Sequence, residues 1–293
     1  MQTEVVSLDS RQVYRGMDIG TAKPSPTERD ALPHHVLDVV DPDEPFDASK
    51  YFVLASRALD QIVGRGRVPM VVGGTGLYMR ALLDGFFRGP GRHDDVRRRL
   101  LALARQRGPE YLHGRLSAVD PASARRIHRN DVVRLVRALE VFEVTGRPMS
   151  ELWERSPGRA YSCRPLVVAL DRPTSSLDMR IRERTRAMLQ HGFVEEVARL
   201  LDGGYGTDLP SMSAVGYREV AEFLGGGLGR EELEESIARA TCRYARRQLR
   251  WFRADPRVRW VDAENHRASA ELVTRFWELH AGESTVGSEA RGP

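Results

Sequence analysis

The stretch Val68-Pro69-Met70-Val71-Val72-Gly73-Gly74-Thr75-Gly76-Leu77-Tyr78 decides the fold. Val68–Val72 is an apolar run of strand length, Gly73–Gly76 breaks it, and Leu77–Leu83 resumes with helical character. A strand that ends in a glycine turn and feeds a helix is the joint of a parallel sheet. Toward the N-terminus, Ser49–Val63 has helical spacing in Phe52, Ala55, Leu59, Ile62 and Val63. His35–Val40 is a second apolar run, and Glu4–Leu8 is a short strand ending at Asp9. Toward the C-terminus, Arg164–Leu170 and Val258–Val261 read as further strands. The order predicts an α/β protein with a parallel sheet and crossover helices.

Between the third and fourth strands the character changes. Asp94–Arg107, Pro121–Thr145 and Ser150–Arg155 read as helices with no strand among them. Val132, Leu135, Leu139 and Phe142 form an apolar stripe on the middle one. Residues 91–165 are therefore read as an all-helical insertion domain, with 1–90 and 166–280 forming the α/β core. Thr174–Gly203 and Arg230–Arg253 are later core helices, and the small, polar tail 281–293 is expected to be disordered.

Composition narrows the class. With 41% hydrophobic and 29% charged residues among 293, a packed soluble protein is expected rather than a disordered one. No run of 18 apolar residues spans a membrane, and the opening MQTEVVSLDS has neither the basic nor the apolar region of a signal peptide. Cys163 and Cys242 alone make neither a disulfide framework nor a zinc site, so a reducing cytoplasm is the simple reading. The net charge of +4 leans mildly toward a polyanionic partner. No G-x-S-x-G, H-E-x-x-H or C-x-x-C occurs, and Gly-Lys, which any G-x-x-x-x-G-K-[ST] phosphate loop requires, is found nowhere.

Arrangement says more than totals. In the helix 231–253, Arg239, Arg243, Arg246, Arg250 and Arg253 point within roughly 80° of one another, with Arg247 at the stripe's edge. Like charges so stacked repel by a few tenths of a kcal/mol per pair. Phosphates of a nucleic acid would offset that repulsion; the bland reading is a solvated face, although Ala238–Phe252 holds no acidic residue. Arg134 and Arg137 on the insertion helix read alone as ordinary surface arginines. The Gly73–Gly76 turn can face a phosphate or polar substrate with its N–H groups, or be no more than a tight turn. Asp9 either caps a turn or meets a ligand at the carboxyl ends of the strands, and Asp9–Pro24 is long and polar enough to be a substrate-facing loop.

Taken together, several ordered segments resemble the tRNA dimethylallyltransferase (tRNA isopentenyltransferase) family, from about Glu4 to Asp262. They are Asp9–Pro24 (DSRQVYRGMDIGTAKP), Val71–Tyr78 (VVGGTGLY), Ile127–Asp131 (IHRND) with Arg137–Val141 (RALEV), Val215–Arg218 (VGYR), and Tyr244–Gln248 (YARRQ) with Trp251-Phe252-Arg253. The resemblance implies a P-loop-type core with a helical insertion. It implies transfer of a dimethylallyl group from dimethylallyl diphosphate to N6 of the adenosine 3′-adjacent to the anticodon. Asp9 would meet N6 and help remove its proton, and Arg184 would hold the diphosphate. Thr75 and Arg97 match positions near the tRNA. The tRNA-contacting stretches match Asp9–Gln12 (with Ser10, Arg11 and Gln12), Val133–Arg137 (Arg134, Arg137), Ser213–Arg218 (Gly216, Tyr217, Arg218) and Cys242–Leu249 (Arg243, Arg246, Arg247, Gln248). Mg²⁺ is the implied cofactor, the tRNA anticodon stem-loop the partner, and a monomer the expected state. Cys242 stands where the family usually has arginine.

Family members open with a strand, a P-loop and a helix, and the present sequence has no counterpart of these ahead of Glu4. The expected fold is thus that core with its first strand, P-loop and first helix missing. The 293-residue chain is expected to express poorly and to lack transfer activity, with in-frame upstream DNA encoding the missing elements. A catalytically silent tRNA-binding remnant is the main alternative. A nucleotide kinase is a third, against which the arginine stripe and helical insertion argue.

Overall fold

A computed structural model describes residues 2–85, 89–155 and 160–280; the tail expected to be disordered lies outside the described residues. In chain order the elements begin with β1 (Thr3–Leu8), α1 (Pro26–Ala31), β2 (His34–His35), α2 (Ala48–Gly64), β3 (Val68–Gly73) and α3 (Gly76–Asp84). Five helices follow, α4 (Asp94–Arg107), α5 (Pro109–Val119), α6 (Pro121–Arg126), α7 (Val132–Thr145) and α8 (Met149–Arg155). Then come β4 (Val167–Asp171), α9 (Thr174–Gln190), α10 (Phe193–Asp202), α11 (Tyr217–Leu224), α12 (Arg230–Arg253), β5 (Val258–Asp262) and α13 (His266–His280). The chain divides into two compact units, Met1–Leu82 with Ser162–Pro293, and Leu83–Tyr161; the expected 91–165 insertion overlaps the second.

Every strand pair is parallel, but the strands form two sheets, β2-β1-β3 and β4-β5. β1 is the centre of the first, paired with β3 from Thr3↔Val68 to Leu8↔Gly73. From Glu4 to Leu8 it is buried on both faces. β3 differs. Met70, Val71 and Val72 are successive, so they alternate between faces, yet they are 40%, 38% and 50% exposed. A parallel strand reading as a continuous apolar run is ordinarily covered on both faces. Here the outer edge and flanks of β3 are open, as is Leu170 of β4 at 62% exposure.

Several elements end sooner than their apolar runs. The expected strand His35–Val40 contributes only His35 to β2, because Val36 and Asp38 take φ of 63° and 54°, outside the strand region. Asp38 is held there by Lys23 Nζ at 2.6 Å and Arg29 at 2.8 Å. The helix expected over Thr174–Gly203 breaks at Gly192, whose φ of 94° separates α9 from α10. Pro121–Thr145 is likewise two helices, the second capped by the Asp131 side chain accepting from Arg134 N–H. The helical unit has its own core of Leu100, Leu112, Leu116, Leu135 and Leu139.

Near the start of β1, Glu4 is buried, 2% exposed, and ringed by cations. It accepts from Arg65 at 2.7 Å and Arg67 at 2.8 Å and meets His35 Nε2 at 2.5 Å. The Arg65 hydrogen bonds, helped by His35 and Arg67 and opposed by burial, lower its pKa from 4.5 to about 2. A carboxylate so depressed stabilises the fold above its unfolded pKa and loses that contribution as pH falls from 4.5 toward 2. Glu4→Gln should therefore lower Tm at neutral pH and flatten its fall between those limits. Thermal melts across that range check this; parallel curves for parent and variant would count against it.

Candidate active site

Asp9 follows the last residue of β1, half-buried at the carboxyl end of the sheet. It caps its own turn, with Oδ1 accepting from the N–H groups of Arg11 at 2.7 Å and Gln12 at 3.3 Å. Oδ2 accepts no hydrogen bond from the described residues, so the cap leaves one oxygen for a ligand. Ser10 donates its N–H to Thr75 Oγ1 at 3.1 Å, and Thr75 donates its own to Leu8 O at 3.0 Å. Thr75 thus splices the ends of β1 and β3.

The glycines beside Thr75 serve a helix. A Cβ on Gly76 would lie 2.4 Å from Trp251 Cδ2, and one on Gly74 would lie 2.1 Å from Gln248 Nε2. Gln248 Nε2 also donates to Gly74 O at 2.9 Å, and the Arg80 guanidinium covers the Trp251 ring at 4.8 Å. The close approach that needs glycine is made by α12, not by a phosphate.

That docking brings Tyr244, one turn before Gln248, toward Asp9. Burial first, and the Asp9 charge second, push its phenol pKa up. Arg184 of α9 faces the same carboxylate: enclosure by protein lowers its pKa and Asp9 works the other way. Both side chains still reach solvent. Arg11 is tied to Pro210 O at 2.7 Å and Ser211 O at 3.5 Å. Gln12 braces its own loop, donating to Thr21 O and Ala22 O, both at 3.2 Å.

The arginine stripe is partly spoken for. Acidic partners absent from Ala238–Phe252 arrive from outside it. Asp178 of α9 meets Arg246 at 2.6 Å, Asp171 of β4 meets Arg253 at 3.5 Å, and Glu235 meets Arg239 at 3.8 Å. Arg243, Arg247 and Arg250 are exposed and have no ion pair among the described residues. Arg218, Arg243 and Arg247 line an open hollow of about 310 Å³ with Ser213 and Val215. Arg218 is itself paired with Glu219 at 2.7 Å. Cys242 is buried beside Asp178, and burial first raises its thiol pKa. Tyr217, read from sequence as an RNA contact, is fully buried and donates its hydroxyl to Glu196 at 2.6 Å, so its side chain meets no ligand. Gly216, at φ of 94°, sets the turn before it.

Arg97, Arg134 and Arg137 belong to the helical unit. Arg97 and Arg137 grip the buried Glu140 at 2.9 and 2.8 Å. Burial pushes that carboxyl's pKa up, but Arg97, the His93 N–H and Arg137 outweigh it and hold it low. Arg134 is largely exposed, 3.4 Å from Asp131.

The profile of the IPP transferase family matches residues 12–255. The chain belongs to that family. A tRNA dimethylallyltransferase of Geobacter sulfurreducens is 49% identical over 261 residues, 88% of this chain and 83% of that one. One from Roseiflexus sp. (strain RS-1) is 45% identical over 280 residues, 94% and 90% of the two chains. Among solved structures, the full-length tRNA isopentenylpyrophosphate transferase of Bacillus halodurans aligns with TM-score 0.67 and 37% identity, covering 96% of this chain and 89% of its own. A eukaryotic dimethylallyltransferase acting on tRNA aligns with TM-score 0.76 and 25% identity, over 96% and 73%.

Three residues of this IPP transferase are not singled out as site residues by sequence reasoning. Tyr244 and Trp251 carry a signal, since with Gln248 they recur at i, i+4, i+7 on α12. Asp178 carries none, being a single acid on a distant helix. The Gly76 contact is testable. Gly76→Ala drives a Cβ into a rigid indole, whereas Gly74→Ala meets the end of a flexible glutamine. Urea unfolding should show a loss of about 1–3 kcal/mol for the first and a clearly smaller one for the second; equal losses would mean that Trp251 yields as easily as Gln248.

Proposed function

We propose that the chain transfers a dimethylallyl group from dimethylallyl diphosphate to N6 of the adenosine 3′-adjacent to the anticodon of tRNA, in the cytoplasm. The names of its relatives support the reaction class. On this chain the reading is carried by one carboxylate, Asp9, with a spare oxygen and with Arg184, Arg11 and Tyr244, cationic or phenolic, as its neighbours. No helix among the described residues is long and apolar enough to cross a membrane.

The chemistry asks for little beyond position and charge. An exocyclic adenine amine is a weak nucleophile, because its lone pair is delocalised into the ring. The allylic carbon compensates by ionising readily, so positive charge grows there as diphosphate departs. Asp9 Oδ2 accepts a hydrogen bond from N6 and takes the proton as the C–N bond forms. Arg184 stabilises the departing diphosphate. Arg243, Arg247 and Arg250 meet RNA phosphates further along α12, and the base leaves its stack to reach Asp9. Mg²⁺, which the family resemblance implies, would supply positive charge to the departing diphosphate. Such an ion is ordinarily held by one or two carboxylates together with substrate phosphates; among the described residues no three His, Cys, Asp or Glu side chains converge on one point, and no step is routed through the ion.

The open flank of β3 bears on the fold. Apolar side chains bare on both faces of β3 leave its outer edge able to take a further strand. The second reading is a tRNA-binding protein without catalysis, which the exposed Arg243, Arg247 and Arg250, without an ion pair among the described residues, would equally support.

Assays with tRNA and dimethylallyl diphosphate separate the two. Asp9→Asn should abolish most turnover while tRNA affinity stays near the parent value, because the carboxylate acts when the proton leaves rather than when RNA docks. Turnover close to the parent's would remove Asp9 from this role. A parent that binds tRNA but transfers nothing would favour the binding reading. Arg243→Gln with Arg247→Gln should reduce the salt dependence of tRNA binding by about one unit of slope for each phosphate left without its arginine. Arg246→Gln, already engaged by Asp178, should reduce it less.

A further inference from the structure

Three consecutive backbone N–H groups in the Asp9–Pro24 loop converge on one buried side chain from a distant helix. Glu196 of α10 accepts from Asp18 at 2.9 Å and Ile19 at 2.7 Å through Oε2, and from Gly20 at 3.2 Å through Oε1. Tyr217, the first residue of α11, donates its hydroxyl to Oε1 at 2.6 Å. Successive amides curled about an anion form a nest, a backbone device that commonly holds phosphate. Here the anion is the protein's own carboxylate. Glu196 is 2% exposed, and its partners are all neutral donors. Each of those hydrogen bonds is therefore strengthened by the charge on the acceptor, and none competes with an arginine.

Packing fixes the same junction. A Cβ on Gly20 would lie 2.1 Å from the Phe193 ring and 2.5 Å from Tyr217, and one on Gly216 would lie 3.0 Å from Phe193. The Phe193 and Tyr217 rings meet edge to face at 5.1 Å between centroids. Two segments thus end on one carboxylate. The loop begins at Asp9, and the turn Gly216–Tyr217 continues directly into Arg218 at the rim of the cationic hollow.

We infer that Glu196 is a positioning residue for RNA. It clasps the Asp9–Pro24 loop to the Gly216–Arg218 turn, so that a single RNA meets Asp9 and the Arg218–Arg243–Arg247 hollow together. The inference rests on the RNA reading of that face. Glu196 does not touch RNA itself, because it is buried under the segments it joins. Its replacement should weaken binding while every phosphate keeps its arginine, which separates it from the exposed arginines.

The test is tRNA binding by the full chain across a salt series, with amide hydrogen exchange on the same proteins. Glu196→Gln keeps the shape but removes the charge and turns an N–H toward the Gly20 N–H. It should weaken tRNA binding about tenfold, leave the salt slope unchanged, and speed exchange at Asp18, Ile19 and Gly20. Tyr217→Phe removes one hydrogen bond and should weaken binding about threefold. The double variant should bind no worse than Glu196→Gln, because the phenol acts through the carboxylate. Faster loop exchange with affinity within about twofold of the parent would overturn the clasp and leave Glu196 a stabilising residue only. Additive effects in the double variant would overturn it as well. Should Glu196→Gln fail to fold cooperatively, Tyr217→Phe decides alone, parent-like affinity counting against the clasp. A parent that does not bind tRNA overturns the RNA reading beneath it, and that result appears in the parent arm before any variant is compared.

Discussion

The seating of α12 on the Gly73–Gly76 turn is the constraint on which the rest depends. Gln248 and Trp251 fill the space that side chains on Gly74 and Gly76 would take. Once those residues face the turn, the helical repeat sets every other direction on α12. Tyr244 is carried toward Asp9, Leu233, Ile237 and Ala240 go into the core, and Arg243, Arg247 and Arg250 face solvent. The same turn fastens β3 to β1 through Thr75 and Leu8, so the Asp9 carboxylate and the cationic helix face share one joint. Glycine is needed there for close packing between two protein segments.

Charge is sorted by pairing. Glu4 and Glu140 are buried and each held by two arginines, while Glu196 is held by amides and a phenol. Removing one partner from such a site leaves an uncompensated buried charge, which is why these arginines are committed to the fold. The arginines left over are the ones open to an anionic partner. A net charge of +4 gives no hint of them, but the pairing pattern does, because it subtracts Arg246, Arg253 and Arg239 from the stripe and leaves Arg243, Arg247 and Arg250.

Periodicity makes α12 and α4 legible end to end, and the strand–glycine–helix joint at Val68–Tyr78 announces parallel pairing. It does less well wherever a tertiary contact overrides a local pattern. The apolar run His35–Val40 reads as a strand, yet salt links from Lys23 and Arg29 fix Asp38 in a left-handed conformation and stop it. The break at Gly192 is present in the sequence as a glycine, and the helical pattern on either side masks it. In the site, Asp9 is visible because a strand ends on it. Tyr217 reads as a surface contact because nothing local tells a buried phenol from an exposed one. Two of the three acids that claim half the arginine stripe are invisible for a related reason, since Asp178 and Asp171 are brought to α12 only by folding.

The placement of RNA can be measured directly by photo-crosslinking. An anticodon stem-loop would carry a photoreactive purine in place of the adenosine 3′-adjacent to the anticodon, with the attached peptides identified by mass spectrometry. If the target base reaches Asp9 while its flanking phosphates lie on α12, crosslinks will concentrate in the 9–12 segment, at Thr75 and at Tyr244–Gln248. Crosslinks confined to α13, or scattered without preference, would contradict that placement.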